Sequence, residues 1–110
     1  MREKTNLLLK KALEFHASGN LGEAAKIYKD LLRKKENDPE VLHLLGTVLV
    51  EAGLAKQAIP ILNKAITFGG PSWGTLYNYG LALSALGKLV EASRAFKNAV
   101  EANPDCQDCW

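Results

Sequence analysis

Residues 76–99 read LYNYGLALSALGKLVEASRAFKNA, and two earlier stretches of the chain share the outline of this one. The outline is clearest in two sets of small residues whose members lie 34 residues apart: Gly19, Gly53 and Gly87, and Ala24, Ala58 and Ala92. Two sets in the same phase indicate an internal repeat, and a period of this size is typical of solenoid proteins.

The period divides the chain into three units, residues 5–38, 39–72 and 73–106, and residues 107–110 start a fourth. Small side chains let two helices approach closely, and larger ones fill the space beside them. Equivalent positions of the units hold side chains of matching size: Leu8, Leu42 and Leu76; Ala12, Gly46 and Gly80; Tyr28, Leu62 and Phe96. Because a chain of 110 residues suits one domain, we expect residues 1–110 to form a single unit of folding.

Each repeat has the pattern of two helices joined by a glycine turn. In the second unit, apolar residues recur at spacings of three and four on both sides of Gly53, as in amphipathic helices. Asp38 before Pro39 predicts a helix start. Pro60 should lie near the end of the first turn of its helix, where we expect a slight bend and no break. The predicted fold is all-α, an α-α superhelix of three helix-turn-helix units.

Composition and charge exclude several classes of protein. The chain is 47% hydrophobic and 24% charged, which excludes long disorder. A net charge of +2 is too small for a typical nucleic-acid binder. The apolar run at residues 41–50 is about half the length that a membrane span needs, and residues 7–9 are followed at once by two lysines, unlike a secretory signal. We therefore predict no nucleic-acid partner, no membrane association and a cytoplasmic location.

This pattern resembles the tetratricopeptide repeat family across nearly the whole chain. The third unit carries its most specific residues: Leu76-Tyr77-Asn78-Tyr79-Gly80, Gly87, Glu91-Ala92, Phe96, Ala99 and Asn103-Pro104. The resemblance implies a right-handed superhelix of helical hairpins that acts as a protein-interaction scaffold. Trp110 falls in a column where this family often carries tryptophan, so we expect the chain to be the N-terminal fragment of a longer protein.

The resemblance also implies a binding surface, because the first helices of such repeats line a concave groove. The equivalent positions here are candidate contacts for a protein or peptide partner: Leu9, Leu13, His16, His43, Thr47, Val50, Glu51, Tyr77, Asn78, Leu81 and Ser84. Relatives that clamp the acidic tails of chaperones use Lys, Asn and Arg at positions that here hold Leu9, Leu13, Leu44, Gly74 and Asn78. Four of these five residues cannot make the polar contacts, so the groove is predicted to take a peptide with hydrophobic anchors.

The sequence offers no convincing catalytic or metal-binding constellation. Cys106 and Cys109 form a Cys-x-x-Cys pair, but a zinc site needs about four ligands, and we interpret them as ordinary residues. His16 and His43 are the only histidines, and on stacked repeats their Cα atoms should lie about 14 Å apart, too far to share an ion. We therefore predict no catalytic residue, no metal and no cofactor.

Three alternatives stay open. A basic cluster in the first unit has the character of a solvated helix face, and binding of phosphate or of an acidic partner is the alternative: Lys26, Lys29, Arg33, Lys34 and Lys35. The chain could instead be a self-assembly segment that forms a weak homodimer through its C-terminal end, where Leu89, Val90, Phe96 and Val100 lack a following repeat. It could also be the recruiting arm of a larger enzyme, since similar repeats are fused to glycosyl-, methyl- and sulfotransferases.

Overall fold

The computed structural model describes residues 2–102 of the chain, which form helices and the turns between them, without a strand. The helices of this part are α1 (Arg2–Ala17), α2 (Leu21–Lys34), α3 (Pro39–Glu51), α4 (Ala55–Gly69), α5 (Trp73–Ala85) and α6 (Leu89–Ala102). The predicted all-α fold is confirmed.

The helices pair into three hairpins, α1 with α2, α3 with α4, and α5 with α6. Successive hairpins stack because α3 packs on α2 and α5 packs on α4. The resulting stack is elongated, 42 Å along its longest axis against 24 and 23 Å across it. This arrangement is the predicted helical solenoid.

Glycine turns separate the two helices of each hairpin, as predicted. Gly19, Gly53 and Gly87 have φ angles of 87°, 78° and 78°, in the left-handed region where a side chain is disfavoured. At the start of α3, the Asp38 side chain accepts a hydrogen bond from the Glu40 backbone N–H at 3.1 Å, which confirms the predicted cap.

Pro60 differs in position from the expectation. Because α4 begins at Ala55, Pro60 is its sixth residue and lies in the second turn, one turn later than the sequence predicts. The helix continues through it to Gly69 without a break. Proline removes one backbone donor, and the packing of the rest of the helix is sufficient to keep α4 intact.

Small and large side chains alternate in the core, as the equivalent positions of the three units predicted. Ala12, Ala24 and Ala58 are fully buried, and so are Tyr28 and Leu62. Glycine is required where a large side chain crosses the facing helix closely: a Cβ atom at Gly46 would collide with Leu62, and one at Gly80 would lie 2.6 Å from the Phe96 ring. The matching residue sizes at equivalent positions of the units therefore reflect the contacts between packed helices.

Candidate functional site

The first helices of the hairpins form one side of the molecule. α3 and α5 contact each other directly, and side-chain hydrogen bonds join α1 to α3 and α3 to α5. Because α3 contacts α5 more extensively than α2 contacts α4 or α4 contacts α6, the first helices lie on the inner side of the superhelix. We call the surface formed by α1, α3 and α5 the concave groove, and all of the candidate contact residues lie on these helices.

A histidine–carboxylate pair joins the first and second hairpins. The His16 Nε2 atom lies 2.8 Å from the Glu51 Oε2 atom, and the Glu51 side chain is the more exposed partner. On its other side, the His16 Nδ1 atom lies 3.5 Å from the Tyr28 hydroxyl, a long and weak hydrogen bond, and the two rings meet edge to face. The sequence placed His16 and Glu51 in the groove, and the structure brings them into contact.

Two series of hydrogen bonds between polar groups join the second and third hairpins. The Asn78 Nδ2 atom donates to the Thr47 Oγ1 atom at 2.9 Å, and the Thr47 hydroxyl donates to the His43 carbonyl at 2.8 Å. The His43 Nδ1 atom lies 2.7 Å from the Thr75 Oγ1 atom, which also bonds the Ser72 hydroxyl. Burial lowers the pKa of His43, because it disfavours the charged imidazolium. These polar residues of the groove have partners within the chain.

The apolar members of the candidate set differ in how much surface they offer. Leu9 and Val50 are half-buried and pack against the core, so they serve the fold as well as the groove. The Leu13 side chain is 41% exposed, Leu81 is half-buried and Ser84 is exposed. Open apolar contact area is therefore available at Leu13 and Leu81, with the exposed Ser84 on the same helix as Leu81.

Tyr77 lies against the second helix of its own hairpin. Its ring centroid is 5.8 Å from that of Phe96, with the two planes inclined by 50°. Gly80 makes room for the Phe96 ring, because a side chain there would collide with it. The 34-residue period could not show this aromatic contact, since the corresponding pairs in the other hairpins are Leu9 with Tyr28 and His43 with Leu62.

The described residues offer contact surfaces and no cluster suited to metal chemistry. Within residues 2–102, no group of three His, Cys, Asp or Glu side chains lies close enough together to hold a metal ion. Cys106 and Cys109 lie outside the described residues. None of the helices in the described part is long and apolar enough to cross a membrane.

Known proteins share this fold. Residues 17–99 match the family described as anaphase-promoting complex, cyclosome, subunit 3. No curated protein sequence matches the chain. Among solved structures, the MamA protein is 26% identical with a TM-score of 0.88, and the match covers 99% of this chain and 60% of MamA. An O-GlcNAc transferase from Thermobaculum terrenum is also 26% identical, with a TM-score of 0.90, over 98% of this chain and 21% of the transferase.

A third structure is the first tetratricopeptide repeat domain of Spaghetti (RPAP3) bound to an HSP90 peptide. It is 20% identical with a TM-score of 0.90, and the match covers 97% of this chain and 85% of that domain. The chain spans less than two thirds of the length of MamA and of the transferase. Repeat folds of this kind commonly bind other proteins along their concave surface. The family match and the hairpin architecture agree, and the chain belongs to the tetratricopeptide repeat family, with the sequence pattern described for subunit 3 of the anaphase-promoting complex.

Proposed function

We propose that the chain is a non-catalytic interaction scaffold that binds a partner peptide in the concave groove. The observation that carries this proposal is the contrast between the polar and apolar groove residues. The polar ones, such as Thr47 and Asn78, already bond to each other, whereas Leu13 leaves 41% of its surface open. Apolar side chains of a peptide gain most at such positions, because burial removes both surfaces from water.

The charge of the groove favours a peptide without an acidic tail. The positions that would clamp terminal carboxylates hold residues such as Leu9, Leu13 and Gly74, which carry no charge. Glu51 is partly exposed and adds negative charge beside His16. A carboxylate-rich peptide would meet this charge with no cation at the clamp positions, so the proposed partner is neutral or weakly basic with large apolar anchors.

Exchange of Leu13 tests the groove. A peptide selected from a displayed random library is expected to bind Leu13→Arg about tenfold more weakly than the unmodified protein, because the apolar anchor loses its contact. Leu13 is exposed, so helicity should be unchanged by circular dichroism. Tyr77→Phe serves as a second probe, because Tyr77→Ala would also remove the packing against Phe96.

The matched control carries its change on the opposite face. Lys26→Glu with Lys29→Glu alters two exposed residues of α2 and should leave groove binding and its salt dependence unchanged. Binding that survives Leu13→Arg but is lost in the lysine variant, and that weakens steeply with salt, would contradict the proposal and place the selected peptide on the basic face.

Self-association through the C-terminal end is the second candidate function. Leu89 and Val90 are 67% and 76% exposed, and a surface cavity of about 660 Å³ is lined by Leu89, Phe96 and Val100. Exposed apolar side chains beside a cavity are a candidate surface for contact with another protein. Similarity to part of a transferase supports a third candidate, the recruiting arm of an enzyme.

A second copy of the chain on this surface would produce dimers whose population rises with concentration. Leu89→Lys with Val90→Glu keeps the net charge and should remove the dimer, because two charges cannot be buried without partners. Leu54→Lys is the control, since Leu54 is an exposed leucine in the turn between α3 and α4. Sedimentation velocity over a range of concentrations measures the effect, and a strict monomer throughout would exclude this candidate.

A further inference from the structure

A cleft opens on the outer side of the molecule, between the second helices α2 and α4. α3 packs against both of these helices and lies beneath the space between them. The cleft holds about 570 Å³, and we call it the convex cleft. Leu45 and Leu49 of α3 form its floor, Leu32 lies on the α2 wall and Ile61 lies on the α4 wall. Apolar side chains therefore line the bottom of the cleft on all three helices.

The rim of the convex cleft is basic. Lys29 and Arg33 line it one helical turn apart on α2, and both side chains are exposed. Lys26 continues this row at the i−3 position from Lys29, on the same face of the helix. Arg33 forms an ion pair with Asp30, in which the Arg33 Nη1 atom lies 3.5 Å from the Asp30 Oδ1 atom. This pair is exposed and therefore weak.

The opposite wall adds no negative charge of its own. α4 contains no acidic residue from Ala55 to Gly69, and its contribution to the rim is the neutral Gln57. Lys64 follows Ile61 by three residues and lies near the same face. The lining also includes Glu36, in the turn that follows α2. The net charge of the rim is therefore positive, and the floor below it is apolar.

The equivalent cleft of the next repeat shows that this combination is not a general consequence of the fold. Between α4 and α6 the space is only about 280 Å³, and Tyr79 occupies the position of Leu45. Glu91 replaces Gln57 at its rim and lies with Arg94, so the charges there are mixed. The larger cleft, with two cations and one acid in its lining, is specific to the first two hairpins.

We propose that the convex cleft is a second binding site, and that it takes an acidic amphipathic peptide. An apolar side chain of the peptide enters the cleft between Leu32 and Ile61. Carboxylates next to that anchor pair with Lys29 and Arg33, whose charge-assisted hydrogen bonds orient the peptide along the wall. Because this site faces away from the concave groove and favours the opposite charge, the scaffold binds two chemically different partners at once.

A designed peptide tests the site directly. The probe is a fluorescein-labelled peptide of about twelve residues, with leucines four residues apart and glutamates beside them. Its anisotropy is titrated with the unmodified chain and with Lys29→Glu plus Arg33→Glu, which should bind about tenfold more weakly or worse. Arg94→Glu plus Lys97→Glu makes the same change of charge at exposed positions of the third hairpin and should bind normally.

A gain of binding provides evidence that a damaged fold could not imitate. Gln57→Lys places a cation on the neutral wall and should tighten binding about threefold, since one more exposed pair contributes modestly. Leu13→Arg, in the concave groove, should leave this peptide unaffected. The proposal is overturned if the peptide does not bind, if the two double variants weaken it equally, or if a glutamine version of the peptide binds as well. Competition by inorganic phosphate as strong as that by free peptide would also overturn it, because it would indicate a general anion site.

Discussion

Replacing Tyr28 with alanine is expected to lower the free energy of unfolding by about 3–5 kcal/mol, as for other large aromatic side chains removed from a core. Tyr28 has no exposed surface and packs in the cluster that joins the first hairpin to the second. Leu31 and Ala12 belong to the same cluster, so a cavity there would border both helices of the hairpin. Urea denaturation followed by circular dichroism measures the loss.

Tyr28→Phe separates the ring from its hydroxyl. The contact of the hydroxyl with the His16 Nδ1 atom is long, so its removal should cost less than about 1 kcal/mol at neutral pH. Burial, and to a lesser extent the charge of Glu51, raises the pKa of Tyr28 above its ordinary value of 10. The folded state therefore holds this proton more tightly than the unfolded state does.

The sign of the pH effect follows from that difference. The contribution of the hydroxyl to stability is complete below about pH 10 and is lost as the pH rises through the folded pKa of Tyr28. Tyr28→Phe should lack this part of the alkaline loss. Equal costs for the alanine and phenylalanine variants would show that the ring does not fill the core as its burial indicates.

Most of the fold could be predicted because turns and close helix contacts require particular residue types, which therefore recur in every repeat. Gly53 marks the turn of the second hairpin because its φ of 78° suits glycine, and Gly46 marks the place where Leu62 crosses closely. The position of Pro60 within α4 was predicted less well. The start of α4 after the glycine turn has no side-chain cap, because Leu54 occupies the cap position, and so no residue marks sharply where that helix begins.

The candidate groove could be predicted only as a set of positions. Its internal bonds could not, because a hydrogen bond such as that from Asn78 to Thr47 depends on how two repeats are offset, which the period does not record. The convex cleft was missed for a different reason. Lys29 and Arg33 had the character of a solvated helix face, and only the spacing of α2 and α4 over α3 shows the apolar floor beside them.

Overpacking at the close helix contacts gives the second large effect. Ala58 is fully buried in the same cluster as Leu45 and Leu62, so Ala58→Leu must displace the side chains packed around it. The expected cost is about 1–3 kcal/mol, measured as a shift of the urea midpoint. Lys56→Leu is the matched control, because Lys56 is exposed in the same helix and its exchange should stay within about 0.5 kcal/mol.

The repeat supplies a graded version of this test. Ala92 is the equivalent of Ala58 in the third hairpin, and it borders the open cavity beside Phe96 and Val100. A leucine at Ala92 can extend into that space, so Ala92→Leu should cost clearly less than Ala58→Leu. If both exchanges lower the free energy of unfolding only as much as Lys56→Leu does, the alanines that lie 34 residues apart do not mark close helix contacts. If Ala92→Leu costs as much as Ala58→Leu, the cavity at the C-terminal end is already filled in solution, as a second copy of the chain would fill it.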